Sequence, residues 1–174
     1  PPRLGVIRLG VKVPNRDGKG EHPQEVDHFV VPDELKPIFG DRPMRLTGIR
    51  LPFNDPLKNL HSIYYERRAG RLLVLRCDGI ECVNIPVEGQ ETVTACQKDP
   101  KDLWKPCPCG ARARAKLNIV VPQARAGVWE IPIGGLRRIA DLMSELHLYA
   151  LQFGRLTGIP FDLERVKTEE NYRK

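Results

Sequence analysis

Three cysteines crowd one short polar stretch: Cys96, Cys107 and Cys109, the last two separated only by Pro108. Two more, Cys77 and Cys82, lie upstream in the run Arg76-Cys77-Asp78-Gly79-Ile80-Glu81-Cys82, making five in the chain. Thiolates are soft ligands, and a structural Zn²⁺ ion takes four protein ligands in a tetrahedron. Cys96, Cys107 and Cys109 supply three. Cys82 is the expected fourth, with Cys77 as the alternative, because Cys77 sits in an apolar run where a thiol packs as a small apolar side chain. The spacing is not the paired Cys-x-x-Cys of common zinc motifs, and Cys-Pro-Cys makes a tighter chelate. An odd number of cysteines and the lack of an export signal at the start favour a metal or free thiols over disulfides.

The other reactive residue types form no catalytic set. His22, His28, His61 and His147 stand neither in His-Glu-x-x-His nor beside a serine or cysteine in a nucleophile arrangement. Gly18-Lys19-Gly20 is a turn and not a phosphate loop. Asp78 and Glu81 read as solvated turn positions. A metal-dependent hydrolase would keep an open metal position among imidazoles and carboxylates, and this chain offers mainly thiolates. The expectation is a protein that is not an enzyme.

Basic residues are the other notable group. Arg112, Arg114 and Lys116 alternate, so on a strand they share one face. Arg67, Arg68 and Arg71 cluster around a hairpin-like segment. With a net charge of +6, these residues point to a polyanion or an acidic partner as the contact. Aromatic residues make up only 6% of the chain, which argues against a stacking platform for single strands.

The elements that must position these groups follow from periodicity. At 174 residues the chain fits one domain, 1–174, with enough length to bury a core. No apolar run approaches the roughly 18 residues of a membrane span. Strands are expected at 4–13, 26–31, 44–51, 117–121 and 128–133. A hairpin is expected from 63–66 and 72–75, and another strand at 81–87, partnered with the segment before the cysteine loop. Asp33 is placed to cap a helical turn that Gly40 stops. Leu136, Ile139, Met143 and Leu146 recur at helical spacing and predict a helix over 136–151, ended by Gly154. The fold class is then α+β: a mixed, mostly antiparallel sheet, one C-terminal helix packed on it and a zinc-stapled cysteine loop at about 77–116. The polar end, 168–174, is expected to fray.

Several stretches resemble the recombination directionality factors of large serine integrases, of the actinophage type. Ile7-Arg8-Leu9-Gly10-Val11-Lys12-Val13, then Gly18-Lys19-Gly20-Glu21-His22-Pro23 and Val26-Asp27-His28-Phe29-Val30-Val31, are similar to the family's opening. Tyr64-Tyr65, Leu73 and Arg76-Cys77-Asp78-Gly79 are similar to its central region. Cys96, Cys107 and Cys109 resemble its cysteine-rich loop, and Gly127-Val128-Trp129-Glu130-Ile131 with Gly158-Ile159-Pro160-Phe161 its C-terminal half. The cysteine spacing departs from the family pattern through Cys-Pro-Cys and the additional Cys82, which leaves the ligand set open. The resemblance implies a non-enzymatic phage protein, working in the cytoplasm of the bacterial host, that binds the integrase on DNA and favours excision. The alternative is a zinc-stabilised nucleic-acid-binding subunit of a larger nucleoprotein complex.

Overall fold

Short β-branched segments punctuated by glycine and proline favour many strands over long helices, and strands dominate the chain. The structure, a computed structural model, describes residues 1–97, 99, 101 and 107–166, without the side chains at 62–64. The tail expected to fray, 168–174, and residues 98, 100 and 102–106 of the cysteine loop lie outside the described residues. In chain order the elements are β1 (Arg3–Val6), β2 (Arg8–Pro14), β3 (Glu21–Val30), α1 (Lys36–Phe39), β4 (Arg45–Ile49), α2 (Pro56–Asn59), β5 (Leu60–Ala69) and β6 (Leu72–Cys77). They continue with β7 (Glu81–Asn84), β8 (Thr92–Ala95), β9 (Arg112–Ile119), β10 (Val128–Gly134), α3 (Leu136–Phe153) and β11 (Phe161–Glu164). The fold is α+β, with mostly antiparallel strand pairs, one parallel pair of β1 with β10, and α3 as the single long helix among the described residues. No described helix is long and apolar enough to cross a membrane.

The chain divides into two compact units. The first comprises residues 1–52, 118–131 and 157 onward. The strand expected over 4–13 is broken in two here. Ile7 is fully buried and donates its N–H to the Glu130 carbonyl at 2.9 Å, so the chain leaves β10 and turns to pair with β3 as β2. Gly5 lies where a Cβ would come within 2.9 Å of the Trp129 ring, so only glycine lets β1 approach that buried indole. Antiparallel β4 and β11 add Leu46 and Ile49 to a core with Phe29, Leu35 and Ile131. Asp33 does not cap the turn that precedes α1. Its carboxylate pairs with Lys36 at 2.8 Å instead, while Gly40 ends α1 with its N–H on the Lys36 carbonyl.

One arginine ties this unit together. The Arg165 guanidinium donates to the carbonyls of Leu9 (3.1 Å), Val26 (2.6 Å) and His28 (2.9 Å) and to the Glu25 carboxylate (3.0 Å). Its carbon lies 5.7 Å from the centroid of the Phe29 ring. The planar, five-donor geometry of guanidinium suits donation to several acceptors at once better than an ammonium would.

The second unit comprises residues 53–117 and 132–156. Its strands run β9-β5-β6-β7-β8, each antiparallel to its neighbours. The expected hairpin forms and is longer than its apolar core, because Arg67, Arg68 and Ala69 continue β5 up to the turn at Gly70-Arg71. Asp55 caps α2 by accepting from the Leu57 N–H at 2.9 Å, and the fully buried Asn59 bonds both the N–H and the carbonyl of Phe53. In α3, Ile139 and Leu146 are buried, Leu136 and Met143 are half-buried, and Gly154 ends the helix in a left-handed conformation. Leu146→Ala is expected to cost about 2–5 kcal/mol, the range for truncating a buried leucine, measured by denaturant unfolding. A change below about 0.5 kcal/mol, typical of surface substitutions, would put that face in solvent or against a partner.

Candidate metal centre

The cysteines meet at one end of the second unit, and each arrives by a separate local device. Cys77 ends β6, and Cys82 lies opposite it on β7 as its register partner. Asp78 shapes the turn between them, its carboxylate accepting the N–H groups of Ile80 and Glu81 at 2.8 Å each. Those two bonds, Glu81 first, hold the Asp78 carboxyl below its ordinary range. Gly79 takes a positive φ of 90° and directs its N–H at the Cys77 sulfur, 3.3 Å away. Beyond β8, the Cys96 N–H bonds the Ile80 carbonyl at 2.7 Å, which brings that sulfur to the same turn. Cys107 and Cys109 form a tight turn before β9, with the Gly110 N–H on the Cys107 carbonyl at 3.0 Å.

The five sulfurs lie together. Sγ–Sγ distances are 3.3 Å for Cys77–Cys82, 3.4 Å for Cys96–Cys107 and 2.8 Å for Cys107–Cys109. Cys77, Cys82 and Cys96 have their sulfurs within 4.8 Å of one another, as do Cys77, Cys107 and Cys109. Zn–S bonds of about 2.3 Å in a tetrahedron put sulfurs about 3.8 Å apart, so the cluster is near ligand spacing. Cys77 belongs to both groups although it sits in an apolar strand. The cluster could hold a metal ion, and its donors are thiols alone among the described residues. A closed set of soft donors suits a structural cation better than a catalytic one, which needs an open position.

Burial dominates the titration of these thiols. Desolvation pushes Cys77 and Cys107 up to about 12 and Cys82 up to about 11. Desolvation also acts on Cys109, but hydrogen bonds from Cys107, the Ala111 N–H and Cys82 outweigh it and leave that thiol below its ordinary value. Most of the cluster is therefore neutral and protonated until a cation displaces the protons.

The basic residues separate into two places. On β9, Arg112 and Arg114 are exposed and Lys116 half-buried, while Ala113, Ala115 and Leu117 alternate with them on the buried face. Arg112 stands opposite Glu66 on β5, whose carboxylate accepts from Arg68 Nε at 3.2 Å. Arg68 Nη1 donates to the carbonyl of Arg71, which is exposed at the hairpin turn. Arg67 is elsewhere: its Nη1 donates to the Cys109 carbonyl at 3.1 Å, and it lines a cavity beside Cys82 and Cys109. There it anchors the cysteine turn and sets a positive charge against a site that carries two net negative charges when four thiolates bind a divalent cation. Arg67→Ala is expected to weaken retention of such a cation about 10–100-fold, read by competition with a chromogenic chelator. Asp78 and Arg67 are the supporting residues that sequence reasoning missed as such. Asp-Gly after a cysteine is a readable turn signal, whereas the placement of Arg67 has none.

A family model, Gp3-like, described as recombination directionality factor-like, matches residues 4–174. No curated protein and no solved structure matches the chain.

Proposed function

This chain belongs to the Gp3-like, recombination directionality factor-like family, and from that premise we propose that it is a non-enzymatic accessory factor that binds a serine integrase on DNA and favours excision. The match over residues 4–174 is the observation that carries this reading. The protein then works in the cytoplasm of a bacterial host, as one domain, alongside an integrase encoded with it. The cation is Zn²⁺, which thiolate-only donors favour, held by four of the five sulfurs. Its role is to fasten the turn before β9, so that Arg112, Arg114 and Lys116 emerge on one face, beside Arg68 and Arg71 on the hairpin. That face is the contact surface for the integrase, with DNA as a further contact.

The test is recombination by the co-encoded integrase on integration and excision substrates, with and without the protein. Excision should appear, and integration fall, only when the protein is added. An unchanged product ratio would reject the proposal. Binding separates the rival reading, a nucleic-acid-binding subunit. Tight binding to free DNA that collapses with salt would favour that reading, because each neutralised phosphate releases condensed counterion. Binding that needs the integrase–DNA complex supports the accessory factor.

A further inference from the structure

Ile139 and Leu146 mark the buried side of α3, yet the opposite side carries apolar residues as well. At 3.6 residues per turn, Leu148 points about 200° away from Leu146. It is 60% exposed, and Leu151, nearly one turn on, is 84% exposed. Arg137, Asp141, Ser144, Leu148 and Leu151 are all exposed and recur in steps of four and three, so they share one outward stripe. Glu145 is exposed beside Asp141 and Ser144. Arg155, also exposed, follows four residues after Leu151, just past the Gly154 cap. At the same end the Asn54 side chain accepts from the Leu156 N–H at 3.1 Å, which ties the approach to α2, with its exposed Leu57, to the end of α3. A helix needs one apolar side to pack on its own unit, and the second has no such use.

We propose that this stripe joins two copies of the chain, α3 against α3 in antiparallel register about a two-fold axis, with Leu148 of each copy packed on Leu151 of the other. The order of charge along the stripe selects that occupant. Carboxylates at Asp141 and Glu145 come first, then the two leucines, then the Arg155 guanidinium. With Leu148 set against Leu151 of the other copy, Arg155 falls level with Ser144 there, between Asp141 and Glu145. The arrangement repeats on the far side of the axis, so the face is complementary to itself, as an isologous contact requires. A parallel pairing would place like charges together at both ends, which is destabilising. A nucleic acid is a poor occupant, because two carboxylates and two leucines would face its phosphates. Steps of four and three are the spacing at which two helices interlock along a seam. Two leucines from each copy make a small contact, at the low end of specific interfaces, so association is micromolar. The inference rests neither on the metal centre nor on the integrase reading.

Sedimentation equilibrium of the full chain, from low to high micromolar concentration, tests this pairing. The mass should rise from that of one chain, 19.7 kDa, toward twice that value. Leu148→Glu/Leu151→Glu should stay at one chain throughout while melting like the wild type, because both side chains are exposed. Arg155→Glu should weaken association by roughly tenfold or more, and so should Asp141→Arg/Glu145→Arg. Mixing those two variants should restore it, since each then meets opposite charge at both ends of the seam. A wild-type mass of one chain at every concentration would overturn the proposal. So would a dimer that survives the leucine substitutions, which would place the contact elsewhere, or a mixture that stays monomeric, which would reject the antiparallel pairing.

Discussion

Replacing Cys107 and Cys109 together by serine is expected to abolish metal retention and to unfold the cysteine end of the protein. Any single cysteine substitution leaves four sulfurs, a full tetrahedral set, and should weaken binding without ending it. The double substitution leaves Cys77, Cys82 and Cys96, which are three. Apparent binding free energies of structural zinc run at about 10–16 kcal/mol, and that energy is folding energy. It is comparable to the whole net stability of an ordinary domain, about 5–15 kcal/mol. Metal analysis and thermal melts of the variant check the result, and a melt like that of the wild type would show that the cluster holds nothing. The pH response gives a second reading. In metal-stripped protein, Cys77, Cys82 and Cys107 keep their protons up to about 11–12, against an ordinary value of 9.0 in the unfolded chain. Their stabilising effect is complete below that ordinary value and is lost as pH rises through the folded values. The metal-bound protein runs the other way. Protons compete with the cation as pH falls, so chelation should become easier in acid while the stripped protein weakens in alkali.

The double variant Arg112→Ala/Arg114→Ala should lose the effect on recombination direction while keeping its fold. Both side chains are exposed on alternating positions of β9, and the alanines between them supply the buried face. Truncation therefore leaves the core intact, and surface changes of this kind stay within about 0.5 kcal/mol. Arginines at an interface centre are frequent hot spots, each worth about 2 kcal/mol or more. Loss of two predicts at least a tenfold fall in affinity for the integrase–DNA complex, by titration at two salt concentrations. Arg114 also packs its guanidinium over Gly134, close enough that a Cβ there would come within 2.6 Å of Nη1. Thermal melts of the variant are thus the necessary control. Unchanged binding and unchanged product ratios would remove this face from the proposal.

Cysteine identity was enough to anticipate the cluster, because soft donors this dense in a polar stretch have few other uses. The alternation of Arg112, Arg114 and Lys116 is equally legible, since β9 keeps period-two burial from Arg112 to Leu117, beyond which Asn118 and Ile119 are both buried. Arg67 was not legible. Arg67 follows the buried Tyr65 in unbroken register opposite Leu75, so it shares that face while Arg68 turns the other way, and the two end on different acceptors, Cys109 and Glu66. Only the strand pairing, which the sequence does not show, tells which face meets the cysteines. The break at Ile7 was hidden for a related reason. An apolar β-branched run looks the same whether it pairs with one neighbour throughout or changes neighbour midway. β3 and β5 extend beyond their expected ends, because a largely exposed ribbon such as Glu21–Val30 carries polar residues on both faces and no hydrophobic period.

The Arg165 guanidinium has a kinetic meaning as well. Its acceptors on Leu9 and His28 are made 156 and 137 residues earlier in the chain, and the first unit is interrupted twice by segments of the second. During synthesis at about 5–20 residues per second, the Leu9 carbonyl waits roughly 8–30 s for its donor. The β2–β3 ribbon must stay unfastened on the ribosome for that interval, and a chain stopped before residue 165 would present it with three carbonyls and a phenyl ring short of their common partner.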